Sequence, residues 1–467
     1  MSDDRQKHLH YRWNILDKVS PTICGAKWYN ATIWLGMGGT TSCHHPPFHQ
    51  IDVEEIKSNP SAIHNTKEKK EQREQMLNGE RPKGCEYCWT LEDLGKDVIS
   101  DRVYKSNIYK DQEILGLREI GSQADIDLKT LEISFDRNCN FACSYCNSSF
   151  SSRWAKEMRE RGPFVNLIHG DTKAFNHNAD KDFKWENEEE NPVLAAFWRW
   201  WPDLSKSLQE LRVTGGEPLL SQQFWKLLEK IIAEKPGFSF ATNSNLGVPE
   251  TLINKLISQS QNIESFDLYT SCETVGKQAE YIRDGLKYDY FCSNIERMIK
   301  ESGFKSINIM MTINALSMFG MTKFLDKIME WKKEQGNKTV TFTMNILRFP
   351  AFMSCLTLPN ELREKFSKEL KNWTDEHSNL LLKHEIESLE RLSHYLVKAE
   401  KPHHKSIDRR ILEIDFKNFF LQYDERRGRD ICSVFPEEFS RWFNSINEKV
   451  PKKYFYVFSD ADNENRE

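Results

Sequence analysis

The sequence has no apolar run approaching the ~18 residues that a membrane-spanning helix needs. It also lacks an excess of charge of either sign. Sixty-five Lys and Arg face 70 Asp and Glu, a net charge of −5 over 467 residues, so no global field drives the chain toward nucleic acid or an anionic membrane. No internal repeat and no low-complexity tract is present. The opening MSDDRQKHLHYRW is charged, not a basic stub before an apolar stretch. A soluble, cytoplasmic protein is expected, with neither membrane nor nucleic acid as partner. At ~150 residues per domain the length suggests two or three domains.

What the sequence does hold is cysteine, 11 in all. In a reducing compartment thiols are ligands or small buried hydrophobes more often than disulfides. Cys24, Cys43, Cys85 and Cys88 form an early group, and Cys139, Cys143 and Cys146 a tight second one. Cys272, Cys292, Cys355 and Cys432 stand alone and read as packed thiols.

Around them the pattern changes along the chain. Up to about residue 125 turn formers dominate. Ala31–Leu35 reads as a strand, and the run Gly36-Met37-Gly38-Gly39 as the turn of a hairpin entering Cys43. Asn65–Glu80 reads as a polar helix with a solvated face of alternating charge. From 130 to 350 strands and helices alternate, which argues for parallel βα units. Six strands are expected, at Leu131–Phe135, Leu211–Thr214, Phe238–Thr242, Ser265–Thr270, Ser306–Ile313 and Thr339–Ile346. Leu220, Phe224, Leu227, Leu228 and Ile231 mark one buried helical face between them. Such a series suits a (β/α) barrel or part of one, with chemistry at the C-terminal strand ends. The acidic stretch KDFKWENEEENP and the aromatic AAFWRWW interrupt it, the latter reading as helix packing or as a lid. After Pro359 the chain turns helical, with Leu362, Phe366, Leu370 and Trp373, then Leu389, Leu392 and Leu396, on single faces, and it ends in the charged ADNENRE.

Cys139-x3-Cys143-x2-Cys146 follows the strand LEISFD. Three thiolates on one loop can hold three irons of a [4Fe–4S] cluster and leave the fourth open. Structural zinc wants four nearby Cys or His ligands, and no histidine follows until His169. One strand later stands Thr214-Gly215-Gly216-Glu217-Pro218. Its glycines permit close backbone approach, and its carboxylate can accept from an ammonium group.

In this order the two motifs resemble the radical SAM superfamily over about residues 128–358. The resemblance implies that S-adenosylmethionine chelates the open iron of the Cys139/Cys143/Cys146 cluster, and that reductive cleavage yields a 5′-deoxyadenosyl radical that takes hydrogen from a substrate. It also implies cofactor contacts. Gly215, Gly216 and Glu217 hold the amino group. Ser271 and Glu273 match a Ser-x-Glu step near the ribose, and Arg283, in YIRDG, pairs with the carboxylate. Tyr145 and Leu347 flank the adenine. Asn243 and Asn314 end two further strands and read equally as loop caps.

The early four cysteines suffice to ligate a cluster or a zinc ion, and spacing does not choose between them. Their arrangement, with R-x-x-M-L-x-G-E-x-P-x-x-C-x-x-C-W around the last pair, resembles the twitch domain, a short relative of SPASM domains, which implies an auxiliary [4Fe–4S] cluster. Relatives carry this module after the barrel; here it precedes it. His44, His45 and His49 read as lining a surface or the substrate mouth, or as a substitute ligand.

The resulting expectation is an α/β protein: a twitch-like iron–sulfur domain at 1–125, a partial (β/α)6 TIM-type barrel at 126–358 and a helical extension at 359–467. Its function is radical chemistry on a peptide or protein, with the auxiliary cluster as electron acceptor and a reductase as electron donor. The alternatives are a small-molecule radical SAM dehydrogenase, or a zinc- or cluster-containing binding module with an inactive barrel. A methyl transferrer is disfavoured, because Gly36, Gly38 and Gly39 lie before Cys43 and not between a strand and a helix. Nothing in the spacing selects a general base.

Overall fold

The computed structural model describes residues 3–169, 172–176, 183–185, 188–399 and 408–449. The terminal ADNENRE and part of KDFKWENEEENP lie outside the described residues. Eleven strands occur among them: β1 Asn30–Trp34, β2 Gly39–Thr41, β3 His49–Gln50, β4 Thr130–Ser134, β5 Ala142–Cys143, β6 Glu210–Thr214, β7 Ser239–Ser244, β8 Phe266–Ser271, β9 Arg283–Asp284, β10 Ser306–Ile313 and β11 Thr339–Ile346. β4, β6, β7, β8, β10 and β11 fall on the six expected strands, shifted by a residue or two at most. The chain divides into two compact units, residues 1–136 with 183–242, and residues 137–182 with 243–467.

In the first unit β1, β4, β6 and β7 run parallel. Thr32 of β1 stands beside Glu132 of β4, Glu132 beside Arg212 of β6, and Arg212 beside Ala241 of β7. β2 turns back antiparallel on β1 and carries β3, so the expected hairpin forms. Its first strand does more than make the hairpin, because five residues of β1 pair with β4. The sheet therefore does not stop at the border expected near residue 125.

Leu131 and Ile133 of β4 and Leu211 and Val213 of β6 are buried. So are Phe224, Leu227, Leu228 and Ile231 on the helix Gln222–Glu234. Each such side chain contributes roughly 1.5–3 kcal/mol of burial. The AAFWRWW segment lies in the helix Pro192–Ser207, where Phe197, Trp200 and Trp201 are core. Trp200 Nε1 donates to Asp127 and Trp201 Nε1 to Glu234, at 2.9 and 3.0 Å, which is packing and not a lid.

The helix Lys67–Leu77, capped by the Thr66 hydroxyl, has the expected solvated face in Lys67, Glu68, Glu71 and Glu74, but its inner face carries charge too: Lys69 and Arg73 are fully buried. Backbone carbonyls and a neutral ring take their protons. Lys69 Nζ bonds Asn30 O and His64 Nδ1, and Arg73 donates to Lys27 O and Ala124 O.

The second unit pairs β8, β10 and β11 in parallel. Burial alternates along β10, with Ile307, Ile309, Met311 and Ile313 inside. Beyond Pro359 the helices Asn360–His377, Lys383–Lys398 and Arg409–Arg427 bury the expected Phe366, Leu370, Trp373, Leu389, Leu392 and Leu396. No helix among the described residues is long and apolar enough to cross a membrane.

Candidate functional site

The three-cysteine loop is braced from several sides in the second unit. Ala142 and Cys143 form β5, which pairs antiparallel with β9, so Cys143 faces Arg283 and Ala142 faces Asp284. Ser144 N donates to Ile282 O at 2.7 Å, and Cys146 N closes a turn onto Cys143 O at 2.9 Å. Trp154 Nε1 donates to Cys143 O, Arg137 Nη1 to Ser148 O, and Ser152 Oγ accepts from Cys139 N. The amide of Phe141 donates to Cys139 Sγ at 3.4 Å, a contact that favours a charged sulfur. Burial acts the other way. It pushes the Cys143 thiol up to about 11 against the help of Arg283, and raises Cys146 as well. Thiols in such a place become thiolates when a cation binds them.

Around Cys143 the structure gathers three of the residues expected at the cofactor. Arg283 and Glu273 are 5% and 1% exposed. The guanidinium donates from Nε and Nη2 to one carboxylate oxygen, Oε2, at 2.9 and 2.7 Å, while Nη1 lies 3.9 Å from Cys143 Sγ. The Tyr145 ring faces the same guanidinium, 5.5 Å from ring centre to Cζ. Glu273 Oε1 and Tyr145 Oη are buried with no hydrogen bond of good geometry, held only by loose contacts of Tyr145 with Glu273 and Thr312. Buried polar atoms are nearly always satisfied, so this pair marks a place for a ligand's polar groups. Arg283, which the resemblance pairs with the cofactor's carboxylate, here donates from Nε and Nη2 to Glu273.

Ser271 ends β8, two residues before Glu273. Leu347 follows β11 and is tied by its amide to Ile313 O. Asn314 is a cap, its Oδ1 accepting from the amides of Leu316 and Ser317, and Asn243 Nδ2 donates to Met310 Sδ. Asp284, unforeseen from sequence, is 4% exposed and meets Arg153, Arg427 and Arg429 within 2.8–3.3 Å.

Gly215 to Glu217 follow β6 in the first unit. Gly215 has φ +127°, and a Cβ there would stand 2.8 Å from Ser134 Oγ and 2.9 Å from Asp136 O, so the backbone needs glycine on two counts. Gly216 continues the turn. Glu217, 1% exposed, accepts from Leu219 N at 3.2 Å and caps the short helix Pro218–Leu220.

The first unit also holds the second cysteine group. Cys24, Cys43, Cys85 and Cys88 line one pocket together with His45, Met76, Trp89 and Arg102. Burial raises Cys43 to about 11 and Cys88 to about 12, and raises Cys85 too. His45 is held by Asp101 at 2.6 Å and stacks on Tyr87. His49 bonds the Thr66 hydroxyl, and His44 borders a separate pocket. Lys27, 2% exposed, donates to Gln72 Oε1, and no carboxylate among the described residues pairs with it or with Lys69. Burial pushes the Lys69 amine well down toward its neutral form, whereas Lys27 hydrogen-bonds Cys85 and favours its thiolate, as suits a thiolate-bound centre. No three His, Cys, Asp or Glu side chains among the described residues converge as ligands of a single ion do.

No family model and no curated protein matches the sequence. Among solved structures the chain is similar over 54% of its length to native anSMEcpe with bound AdoMet and Cp18Cys peptide, at 16% identity and a TM-score of 0.30. It is similar over 50% to TYW1 with a lysine-pyruvate adduct bound, at 17% and 0.25, and over 74% to Streptococcus suis SuiB bound to S-adenosylmethionine, at 12% and 0.31. The chain spans 60%, 70% and 69% of those three chains. Likeness of this degree carries no argument about chemistry, which has to come from the residues themselves.

Proposed function

We propose that the chain is a radical SAM enzyme with an auxiliary iron–sulfur centre. The observation that carries this reading is the meeting of Cys143, Tyr145, Glu273 and Arg283. Three separate sequence motifs converge there on two poorly satisfied buried oxygens. A [4Fe–4S] cluster bound by Cys139, Cys143 and Cys146, with S-adenosylmethionine on its open iron, supplies reductive cleavage of the sulfonium and a 5′-deoxyadenosyl radical for hydrogen abstraction.

The protein's part is to bind and orient. Glu273 Oε1 and Tyr145 Oη are the loosely held polar atoms for the cofactor's hydroxyl groups, with Ser271 on the same strand end. Arg283 fixes the Glu273 carboxylate and puts a cation beside Cys143, which favours the thiolate. Glu217 accepts from the cofactor's ammonium group where Gly215 and Gly216 let the backbone approach, and Tyr145 and Leu347 supply flat and apolar cover for the adenine. Cys24, Cys43, Cys85 and Cys88 hold the auxiliary cluster. Their spread around a pocket suits irons that take one thiolate each, more than the tetrahedron of one zinc ion.

In this reading residues 1–125 serve the auxiliary centre and lend β1 to the sheet, 126–358 carry the six strands of the partial (β/α)6 barrel and 359–467 are its helical extension. The substrate is a peptide or a small molecule, the electron donor a cytoplasmic reductase. The test is iron and sulfide content of anaerobically reconstituted protein, followed by assay for 5′-deoxyadenosine under reduction. Two clusters correspond to about eight irons per chain, and Cys143→Ala is expected to abolish deoxyadenosine while the auxiliary centre still absorbs light. Deoxyadenosine formation by Cys143→Ala rejects the assignment, and a colourless zinc protein makes the chain a binding module.

A further inference from the structure

The first unit has a second pocket that neither cysteine group uses. A parallel sheet is ordinarily apolar on both faces, and the interior of a barrel is filled by bulky branched side chains. Here one face is polar where β1, β4 and β6 begin. Thr32, Glu132 and Arg212 stand abreast in register, and Asn30, Thr130 and Glu210 stand abreast one pleat earlier. A pocket of ≈ 200 Å³ covers this patch, closed from the side by His44, Lys105 and Tyr109.

Part of the lining is already engaged. The Tyr109 hydroxyl bonds Thr130 Oγ1 at 2.8 Å, Thr130 Oγ1 donates to Asn30 Oδ1 at 2.5 Å, and Asn30 Nδ2 donates to Ser42 O at 2.6 Å. These three side chains make a rigid floor. His44, Glu210 and Arg212 also line the pocket, Arg212 abreast of Glu132, and Glu132 and Lys105 add charges of opposite sign. Both are partly buried, both line the pocket, and neither makes a hydrogen bond or an ion pair with the other or with any described residue. Opposite charges in one small pocket, held apart, suit a ligand that carries the complementary pair. The volume lies below the roughly 300–1,000 Å³ of drug-sized sites, which limits the occupant to about the size of one residue.

We propose that this pocket binds a free α-amino acid, its ammonium group on Glu132 and its carboxylate on Lys105. Lys105 also lines the pocket of Cys24, Cys43, Cys85 and Cys88, so the bound acid lies on the auxiliary centre's side. The assignment stands on the pocket alone and not on the radical-enzyme reading, because the pocket lies where β4 and β6 begin whereas the cysteine loop and Gly215–Glu217 follow their C-terminal ends, so the site is separate from the seat of a radical's substrate.

The experiment is isothermal titration of the full chain with the common L-amino acids, and then with the N-acetyl and carboxamide forms of whichever binds. Loss of one charge-assisted hydrogen bond weakens binding roughly ten- to hundredfold, and each neutralised form is expected to lose about that much. Glu132→Gln is expected to erase the penalty for N-acetylation and Lys105→Met the penalty for amidation. No binding by any amino acid overturns the proposal, and so does a binder indifferent to both neutral forms. The ligand series on the unaltered chain decides the matter even if a variant does not fold. Deoxyadenosine measured in the same preparation reports separately on the radical reading.

Discussion

Replacing Glu273 with Gln tests the reasoning about the cysteine loop most directly. The change keeps the side chain's shape and removes its charge. Arg283, 5% exposed, then keeps a guanidinium in a dry site with no carboxylate, its 2.7 and 2.9 Å hydrogen bonds now made to the oxygen of a neutral amide. Removing one partner of a buried ion pair costs about 3–5 kcal/mol, and arginine has no escape through deprotonation. Glutamate does. Burial already raises the Glu273 carboxyl above its ordinary value, so in Arg283→Met it takes up a proton, and the damage is smaller near neutral pH than in Glu273→Gln.

The sign follows from linkage. A carboxyl whose folded pKa is raised contributes stability that is present below its unfolded pKa and is lost as pH rises through the folded value. Arg283→Met is therefore expected to weaken further with rising pH. Urea unfolding followed by far-UV circular dichroism gives both losses, and the double variant closes the cycle with a coupling of about 2–3 kcal/mol. Additive losses, or a Glu273→Gln cost under about 1 kcal/mol, would refute the pair's role in the site.

Two further outcomes are expected of the first unit. Gly215→Ala meets a positive φ and a backbone carbonyl 2.9 Å from the new Cβ, so it is expected to destabilise by about 1–3 kcal/mol, read as a lower urea midpoint; an unchanged midpoint contradicts the crowding. His64 and His49 are kept neutral, by burial first and by the nearby Lys69 next, His49 down at about 3. Since the unfolded chain takes up protons there below about pH 6.5 and the folded one does not, stability is expected to fall with acidification by about 1.4 kcal/mol per pH unit per histidine. His64→Asn is expected to halve that slope between pH 6 and 4.5, and an unaltered slope removes His64 from the account.

Much of the architecture was legible because β-rich and helix-periodic segments alternate between 130 and 350, and a pattern of that length leaves little freedom. The same periodicity located the buried faces after Pro359. In the helix Lys67–Leu77 alternating charge marked the solvated face correctly but not that Lys69 and Arg73 lie on the other face, sealed in by His64, Asn65 and backbone carbonyls. β1 was legible as half a hairpin, but its pairing with β4 joins residues about a hundred apart in the chain, which local pattern does not encode. In the candidate site, the sequence motifs named Cys143, Tyr145, Glu273 and Arg283, but not the Glu273–Arg283 bond, since a motif names partners for a cofactor and not for one another. Glu132 and Arg212 did carry a signal, a charge between two apolar residues in each of LEI and LRV, which marks a strand with one polar face.

The helical extension, which carries no functional signal in its sequence, shapes the cysteine loop. Asp284 sits opposite Ala142 in the β5/β9 pair, and two of its three arginines, Arg427 and Arg429, come from the end of the extension's longest helix and the turn after it. The hydroxyl of Tyr423, on the same helix, shares its proton between the carbonyls of Ala142, within that pair, and of Tyr281, two residues before Arg283. A two-residue ladder is too short to hold itself, so its rigidity comes from this clamp. Asp284→Asn leaves three arginines around a neutral amide, at 4% exposure, and is expected to loosen the Cys143 end of the loop without touching a thiol. The readout is the rate at which a chelator strips iron from the reconstituted protein: faster for Asp284→Asn, and faster to a smaller degree for Tyr423→Phe, which removes one hydroxyl. If both variants hold their iron like the parent, the loop is stiff by itself and the extension does not shape the site.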